Sequence, residues 1–326
     1  MSNSRQQTTV HSHVISAPAH TVYALVAEVT RWPAIFEPSL HVHHLERAEH
    51  TERFQLWALV NGQVKTWISR RSLDPRQLHI TFRQERTQPP FASMSGEWTF
   101  RSLPGNRCDV VLTHHFTTVD SASLDTVTTA VDHNSTRELA ALGRLAQLGH
   151  PVTDVVFSFE DTVYLDGAAA DAYQFVHRSD EWPQRLPHVS RVVLREESAG
   201  VQHPGIQDME MDTVTADGSA HTTRSIRLCF PDERIVYKQL VPPVLLLGHS
   251  GGWAFTDGPD GPVATARHTV AINPTAITEV LGTNRTLADA RKFLRAALGA
   301  NSRATLAHAS AYAQSRTTLS PGRAGG

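Results

Sequence analysis

The period of the apolar positions changes twice along the chain, and then the whole pattern starts again. Residues His11 to Ser16 alternate as a strand, and Ala17-Pro18-Ala19 opens a helix with apolar positions Val22, Leu25, Val26 and Val29. Trp32-Pro33 ends that helix and begins a second short one toward Phe36. Alternating segments follow at about 40–49, 52–60, 63–73, 76–86, 92–102 and 107–119, separated by Asn61-Gly62, Asp74-Pro75 and Pro104-Gly105-Asn106. Connections this tight predict an antiparallel meander. A stripe of Leu124, Val127, Val131, Leu139, Leu142 and Leu145 then predicts a long amphipathic helix over about 121–148.

The second half repeats this order. Trp182-Pro183 answers Trp32-Pro33, Tyr237-Lys238-Gln239 answers Phe82-Arg83-Gln84, and Gly251-Gly252-Trp253 answers Gly96-Glu97-Trp98. His268 answers His114, and Asn301-Ser302 answers Asn134-Ser135. The offset jumps before the last pair, which places an insertion at about 272–284. Two domains follow, 1–150 and 151–314, with a polar, Gly-rich tail at 315–326 expected to be disordered. A curved sheet with one apolar face must bury it, so each domain is expected to be α+β, an antiparallel sheet wrapped around its C-terminal helix. A cavity between sheet and helix is the natural ligand site.

Composition narrows the partners. The 326 residues carry 30 Lys plus Arg against 32 Asp plus Glu, which gives no basic field for nucleic acid or an anionic membrane. Cys108 and Cys229, the only cysteines, have no Cys or His at ligand spacing, so neither a metal site nor a disulfide is expected. The polar start and the lack of a long apolar run predict a soluble, cytoplasmic protein.

Candidate chemistry gathers on the strand after Asn61-Gly62. Trp67, Ser69 and Arg71 share one of its faces, an aromatic wall with a hydroxyl and a fixed cation. Ser225 and Arg227 stand at the same distances from Asp217-Gly218, with Thr223 in place of Trp67 and His221 in place of Lys65. Gln84, Trp98 and His114 in the first half, and Gln239, Tyr237, Trp253 and His268 in the second, occupy neighbouring strands. Phe36 follows the short helix and is a candidate gate. Plain core packing explains Phe36, Trp67 and Trp98 equally well, and an interior histidine is ordinarily a hydrogen-bonded one. No Gly-x-Ser-x-Gly elbow, phosphate loop or dinucleotide fingerprint occurs, so no cofactor is expected.

The ordered set Trp32-Pro33, His41-Val42-His43, Trp67-Ile68-Ser69-Arg70-Arg71, Phe82-Arg83-Gln84, Gly96-Glu97-Trp98 and Asn134-Ser135, with its second copy, resembles the helix-grip (START-like, SRPBCC) family. Within it, the chain is similar to the two-domain aromatase/cyclases of bacterial type II aromatic polyketide pathways. The resemblance implies a poly-β-ketone, commonly ketoreduced, tethered by phosphopantetheine to an acyl carrier protein. A minimal polyketide synthase and a ketoreductase would be transient partners, and the reaction would be first-ring closure with aromatisation. For that chemistry Arg71 and Arg227 would stabilise charge on oxygen, with Ser69 and Ser225 beside them. Two rivals remain: a non-catalytic carrier for an apolar molecule with a polar head, such as a lipid, quinone or polyketide, and a structural partner of a synthase complex. A carrier would call for a more uniformly apolar wall than Trp67, Ser69, Arg71 and Gln84 provide.

Overall fold

Turn chemistry decides where the strands stop. Gly62 takes φ 76, and Gly105 and Asn106 take φ 75 and 59, the left-handed positions a tight antiparallel turn requires. Asp74 does the same work with its side chain. Its Oδ1 accepts from the backbone N–H groups of Arg76 and Gln77, at 3.0 and 2.9 Å. The following strand therefore begins at His79, later than the alternation alone places it.

The computed structural model describes residues 6–60, 62–200, 203–214 and 220–318. Asn61, the Asp217-Gly218 turn and the tail beyond 318 lie outside the described residues. The chain divides into two compact units, the first ending at Asp154 and the second beginning at Val155.

In the first unit, β1 (Gln7–Ile15) is followed by α1 (Ala19–Ala27) and α2 (Trp32–Ile35). Six strands come next: β2 (Ser39–Arg47), β3 (Thr51–Val60), β4 (Gln63–Asp74), β5 (His79–Arg86), β6 (Phe91–Leu103) and β7 (Arg107–Thr118). The long helix α3 (Leu124–Ala146) closes the unit, and α4 (Val152–Val155) carries the chain onward. The seven strands form one antiparallel sheet in the order β1-β7-β6-β5-β4-β3-β2, a meander whose far edge is completed by the first strand. α3 packs across β1 and β7, burying Val127, Val131, Leu139, Leu142 and Leu145.

The second unit repeats the plan with β8 (Val156–Tyr164), α5 (Ala169–His177), α6 (Trp182–Arg185), β9 (Val189–Glu197), β10 (Gly205–Val214), β11 (Ala220–Phe230), β12 (Arg234–Val241), β13 (Leu246–Gly258) and β14 (Gly261–Ile272). Its sheet has the order β8-β14-β13-β12-β11-β10-β9. The expected insertion is a 3-10 turn at Pro274–Ala276 and α7 (Ile277–Leu281). There Ile277 joins Leu245, Leu246, Val270, Ile272 and Leu294 in a core cluster of its own. The final helix, α8 (Leu287–Thr318), runs into the segment whose composition reads as tail. Each unit is thus an α+β sheet gripping one long helix.

Candidate active site

Side chains alternate along β4, so Trp67, Ser69 and Arg71 turn together toward α3. They line a cavity of about 250 Å³ between sheet and helix. β3 adds Phe54 and Leu56, β5 adds Phe82 and Gln84, β6 adds Met94 and Trp98, β7 adds His114, and Trp32 comes from α2. α3 faces them with Val131, Asn134, Ser135 and Glu138. Lys65, Gln88, Pro89 and Pro90 both line the cavity and are exposed, which marks its mouth.

Strand register fixes the wall. Ser69 lies opposite Gln84 and Arg71 opposite Phe82, and Gly96 lies between Phe82 and His114. A Cβ on Gly96 would sit 2.6 Å from the Phe82 ring and 2.1 Å from the Thr113 carbonyl oxygen. The missing side chain lets Phe82 lie across β6, edge-on to His114 at 5.5 Å.

Arg71 is only 2 % exposed and nearly saturated. Its Nε–H donates to Glu52 Oε1 at 2.7 Å, and Nη2 lies 2.5 Å from the same oxygen. Nη1 donates to the Val26 carbonyl at 2.9 Å and Nη2 to the Ala27 carbonyl at 2.7 Å. These are carbonyls of the last turn of α1, which have no partner within the helix, so Arg71 caps α1 from across the sheet. Trp32 and Phe54 flank the guanidinium at 5.1 and 5.5 Å. Burial pulls its pKa down and Glu52 pulls it back up. Of the five N–H donors of a guanidinium, one on Nη1 is left for a ligand.

Glu138 is the group the sequence reading passed over. It is half-buried on the cavity-facing side of α3, one turn after Ser135 and one before Leu142, and its carboxyl has no hydrogen-bond or ion-pair partner among the described residues. Burial alone pushes its pKa up to about 7. A lone Glu at the spacing 131, 135, 138, 142 of a core-facing stripe was the available signal. Glu52 was legible too. In a hairpin that pairs Val60 with Gln63, opposed residue numbers sum to 123, and 123 − 71 = 52.

His114 keeps its place at the wall, but burial, then His11 and His115, lower its pKa to about 4. It is therefore neutral at pH 7 and weakly basic. Its Nδ1 lies 3.5 Å from Ser135 Oγ, which itself donates to the Val131 carbonyl at 2.7 Å. Phe36 is not at the wall: it is 2 % exposed and packs edge-on against Trp32, which lines the cavity in its stead.

These features have known counterparts. The family described as polyketide cyclase / dehydrase and lipid transport matches residues 15–141. The granaticin polyketide synthase bifunctional cyclase/dehydratase of Streptomyces violaceoruber is 54 % identical over 306 residues, 93 % of each chain. The actinorhodin polyketide synthase bifunctional cyclase/dehydratase of Streptomyces coelicolor is 55 % identical over 318 residues, 96 % of this chain and 99 % of that one. The chain belongs to this bifunctional cyclase/dehydratase family. Two solved structures share the architecture of the enzyme. One is the di-domain ARO/CYC BexL of the BE-7585A pathway, with TM-score 0.79 and 45 % identity, covering 94 % of this chain and 99 % of that one. The other is the di-domain ARO/CYC StfQ of the steffimycin pathway, with TM-score 0.77 and 38 % identity, covering 95 % and 99 %.

The second unit of the enzyme keeps the register and changes the chemistry. Ser225 lies opposite Gln239 and Arg227 opposite Tyr237, while Gly251 lies between Tyr237 and His268. Where the first cavity has Met94, this unit has His249, and a buried polar chain runs through it. His249 Nδ1 is 2.9 Å from Gln239 Oε1, His249 Nε2 is 3.0 Å from His268 Nδ1, and His268 Nε2 is 2.6 Å from Ser302 Oγ. Tyr237 Oη approaches His268 Nδ1 at 3.1 Å. Burial pushes His249 down to about 3 and His268 to about 4, so the chain is neutral. Arg227 again reaches the first helix of its unit, donating to the Val176 carbonyl at 2.6 Å. Trp253 belongs to the hydrophobic core of the unit, and His221, at the start of β11, is exposed to solvent. Among the described residues no group of His, Cys, Asp and Glu has the arrangement of a metal site, and no helix is long and apolar enough to cross a membrane.

Proposed function

We propose that the enzyme folds a poly-β-ketone in the first unit's cavity, closes its first ring by an intramolecular aldol addition and removes water to make that ring aromatic. The observation that carries this is Glu138, an unpaired carboxyl in the cavity whose pKa, at about 7, lets it take up and return a proton at physiological pH. The relatives, named cyclase/dehydratases of polyketide synthases, support the reaction type. A carrier for an apolar molecule with a polar head would need a partner for that head but not a carboxyl that titrates near 7.

The substrate is a chain held by phosphopantetheine on an acyl carrier protein, ketoreduced before it arrives, and it enters at the mouth beside Lys65. β-Diketone methylenes are already acidic, so the main task is to bring one methylene against one carbonyl. The Glu138 carboxylate removes a methylene proton, and the enolate carbon bonds to the carbonyl carbon. The alkoxide so formed takes the proton back from the Glu138 carboxyl. Repetition at the new ring position expels hydroxide, which leaves as water with that same proton. Ser69 and the remaining N–H of Arg71 stabilise the charge on oxygen, while Trp67, Trp98, Phe82 and Gln84 shape the chain. Ser225 and Arg227 are secondary in this reading.

Reconstitution with a minimal synthase and a ketoreductase tests it. The full chain should direct first-ring closure and aromatisation. Glu138→Gln should lower the rate of aromatic product by roughly 10²-fold, the scale of a lost general acid–base, and Arg227→Ala should do less harm than Arg71→Ala. Identical products with and without the protein would overturn the proposal.

A further inference from the structure

The two units place the same arginine in the same way and surround it with different charge. In both, the guanidinium reaches across the sheet to the carbonyls that end the first helix, Val26 for Arg71 and Val176 for Arg227. In both, a tryptophan covers it, Trp32 at 5.1 Å and Trp182 at 5.2 Å. The residue directly opposite differs. It is Glu52 in the first unit and Gln207 in the second.

Glu52 is itself buried and fully engaged. Its Oε1 takes two N–H contacts from Arg71, and its Oε2 takes the Nε2–H of His44 at 2.7 Å. Gln207 makes no such pair. Its Nε2 donates to the His177 carbonyl and to Glu196 Oε1, both at 3.2 Å, and its Oε1 is buried with no hydrogen-bond partner. Among the described residues Arg227 has no carboxylate within ion-pairing distance, and its partners are the Val176 carbonyl and Met209 Sδ at 3.9 Å. Because Arg227 holds its place without a carboxylate, placement is not what Glu52 adds to Arg71. What it adds is a negative charge.

We propose that Glu52 sets the charge of the first cavity: by neutralising Arg71 it suits the cavity to an uncharged, oxygen-rich chain and against a carboxylate or other preformed anion. This rests on the reading of that cavity as the polyketide site. A polyketone is neutral until its methylene is deprotonated, and a compensated guanidinium offers it one directed N–H without adding a positive field of its own that would draw anions in. An uncompensated charge about 8 Å from a ligand carboxylate, at an effective dielectric of about 20, changes affinity by roughly 30-fold. Glu52 touches no substrate in this account and acts through Arg71.

The test is a ratio of affinities, which a purely structural role for Glu52 would not move. Binding of 2-naphthol and 2-naphthoate to the full chain is measured by titration calorimetry at neutral pH, with Arg227→Gln in every protein so that the second guanidinium does not contribute. With Glu52 present, naphthol should bind more tightly than naphthoate. Glu52→Gln should shift the ratio at least tenfold toward naphthoate, and an unchanged ratio in the folded variant would overturn the proposal. If Glu52→Gln does not fold, Arg71→Gln leaves the carboxylate uncompensated and should shift the ratio at least tenfold the other way. The double variant, Glu52→Gln with Arg71→Gln, should return it to within a few-fold of the original. An unchanged ratio in Arg71→Gln, or a shifted one in the double variant, counts equally against it. Failure of 2-naphthol to bind when Glu52 and Arg71 are intact would instead overturn the reading of the cavity as the polyketide site, and this proposal with it.

Discussion

Glu138 links the chemistry of the enzyme to its stability. Its carboxyl pKa rises from 4.5 to about 7 on folding, so the native state keeps a proton that the unfolded chain gives up. The stabilisation from this group is therefore complete below about 4.5 and is lost as pH rises through about 7. Thermal melts in a pH series should show Tm falling over that interval, and the fall should shrink in Glu138→Gln, which cannot ionise. Parallel curves for the two proteins would mean the carboxyl is not buried as described. His114 titrates near 4, too low to be the base at neutral pH, and serves as an uncharged polar edge of the wall. Arg71, the most prominent cation of the sequence, is mainly a cap on α1 and has little left over for a ligand.

At the scale of elements, the wall depends on how closely β5, β6 and β7 pass one another. Gly96 and Gly251 hold equivalent places, each beneath an aromatic ring, with Tyr237 Oη 2.5 Å from where a Cβ on Gly251 would lie. Gly96→Ala meets both the Phe82 ring and a backbone carbonyl. The expected cost is about 1–3 kcal/mol, that of overpacking a filled interior, together with loss of cyclisation as Phe82 is pushed into the cavity. Denaturant unfolding and product analysis of the folded variant check the two effects separately. Wild-type stability in Gly96→Ala would show that β6 and β7 can part without loss.

For the molecule as a whole, each unit has its own sheet, its own long helix and its own core, and they should not answer acid alike. The first unit holds His114 half-buried with a strongly lowered pKa, while the second buries both His249 and His268 in one chain, all displaced from 6.5. A lowered pKa means that the unfolded state binds the proton first. The stabilisation is therefore present above about 6.5 and is lost as pH falls toward about 4. Scanning calorimetry on acidification should show the second unit's transition moving to lower temperature sooner than the first's. Variants of His268 would assign the transitions, and a first unit that fails earlier would contradict the expectation.

Much of this enzyme is local and so is written in the chain. Turn residues, a period of two and a period of 3.6 set the strands and helices, and the repeat of Trp32-Pro33, Phe82-Arg83-Gln84 and Gly96-Glu97-Trp98 revealed two copies of one sheet. Strand alternation put Trp67, Ser69 and Arg71 on one face, and the hairpin register held the Glu52–Arg71 pairing for anyone who counted it. Tertiary structure alone decided what those groups do. Arg71 meets Val26, 45 residues away, only because the fold brings the C-terminal end of α1 within reach of its guanidinium. Phe36 lost the wall to Trp32 because a one-turn helix presents one ring and buries the other. Glu138 titrates near neutrality because the protein around it takes away much of its hydration and, among the described residues, offers it no partner. Burial and the lack of a partner are properties of a volume enclosed by distant segments, and no stretch of sequence contains that volume.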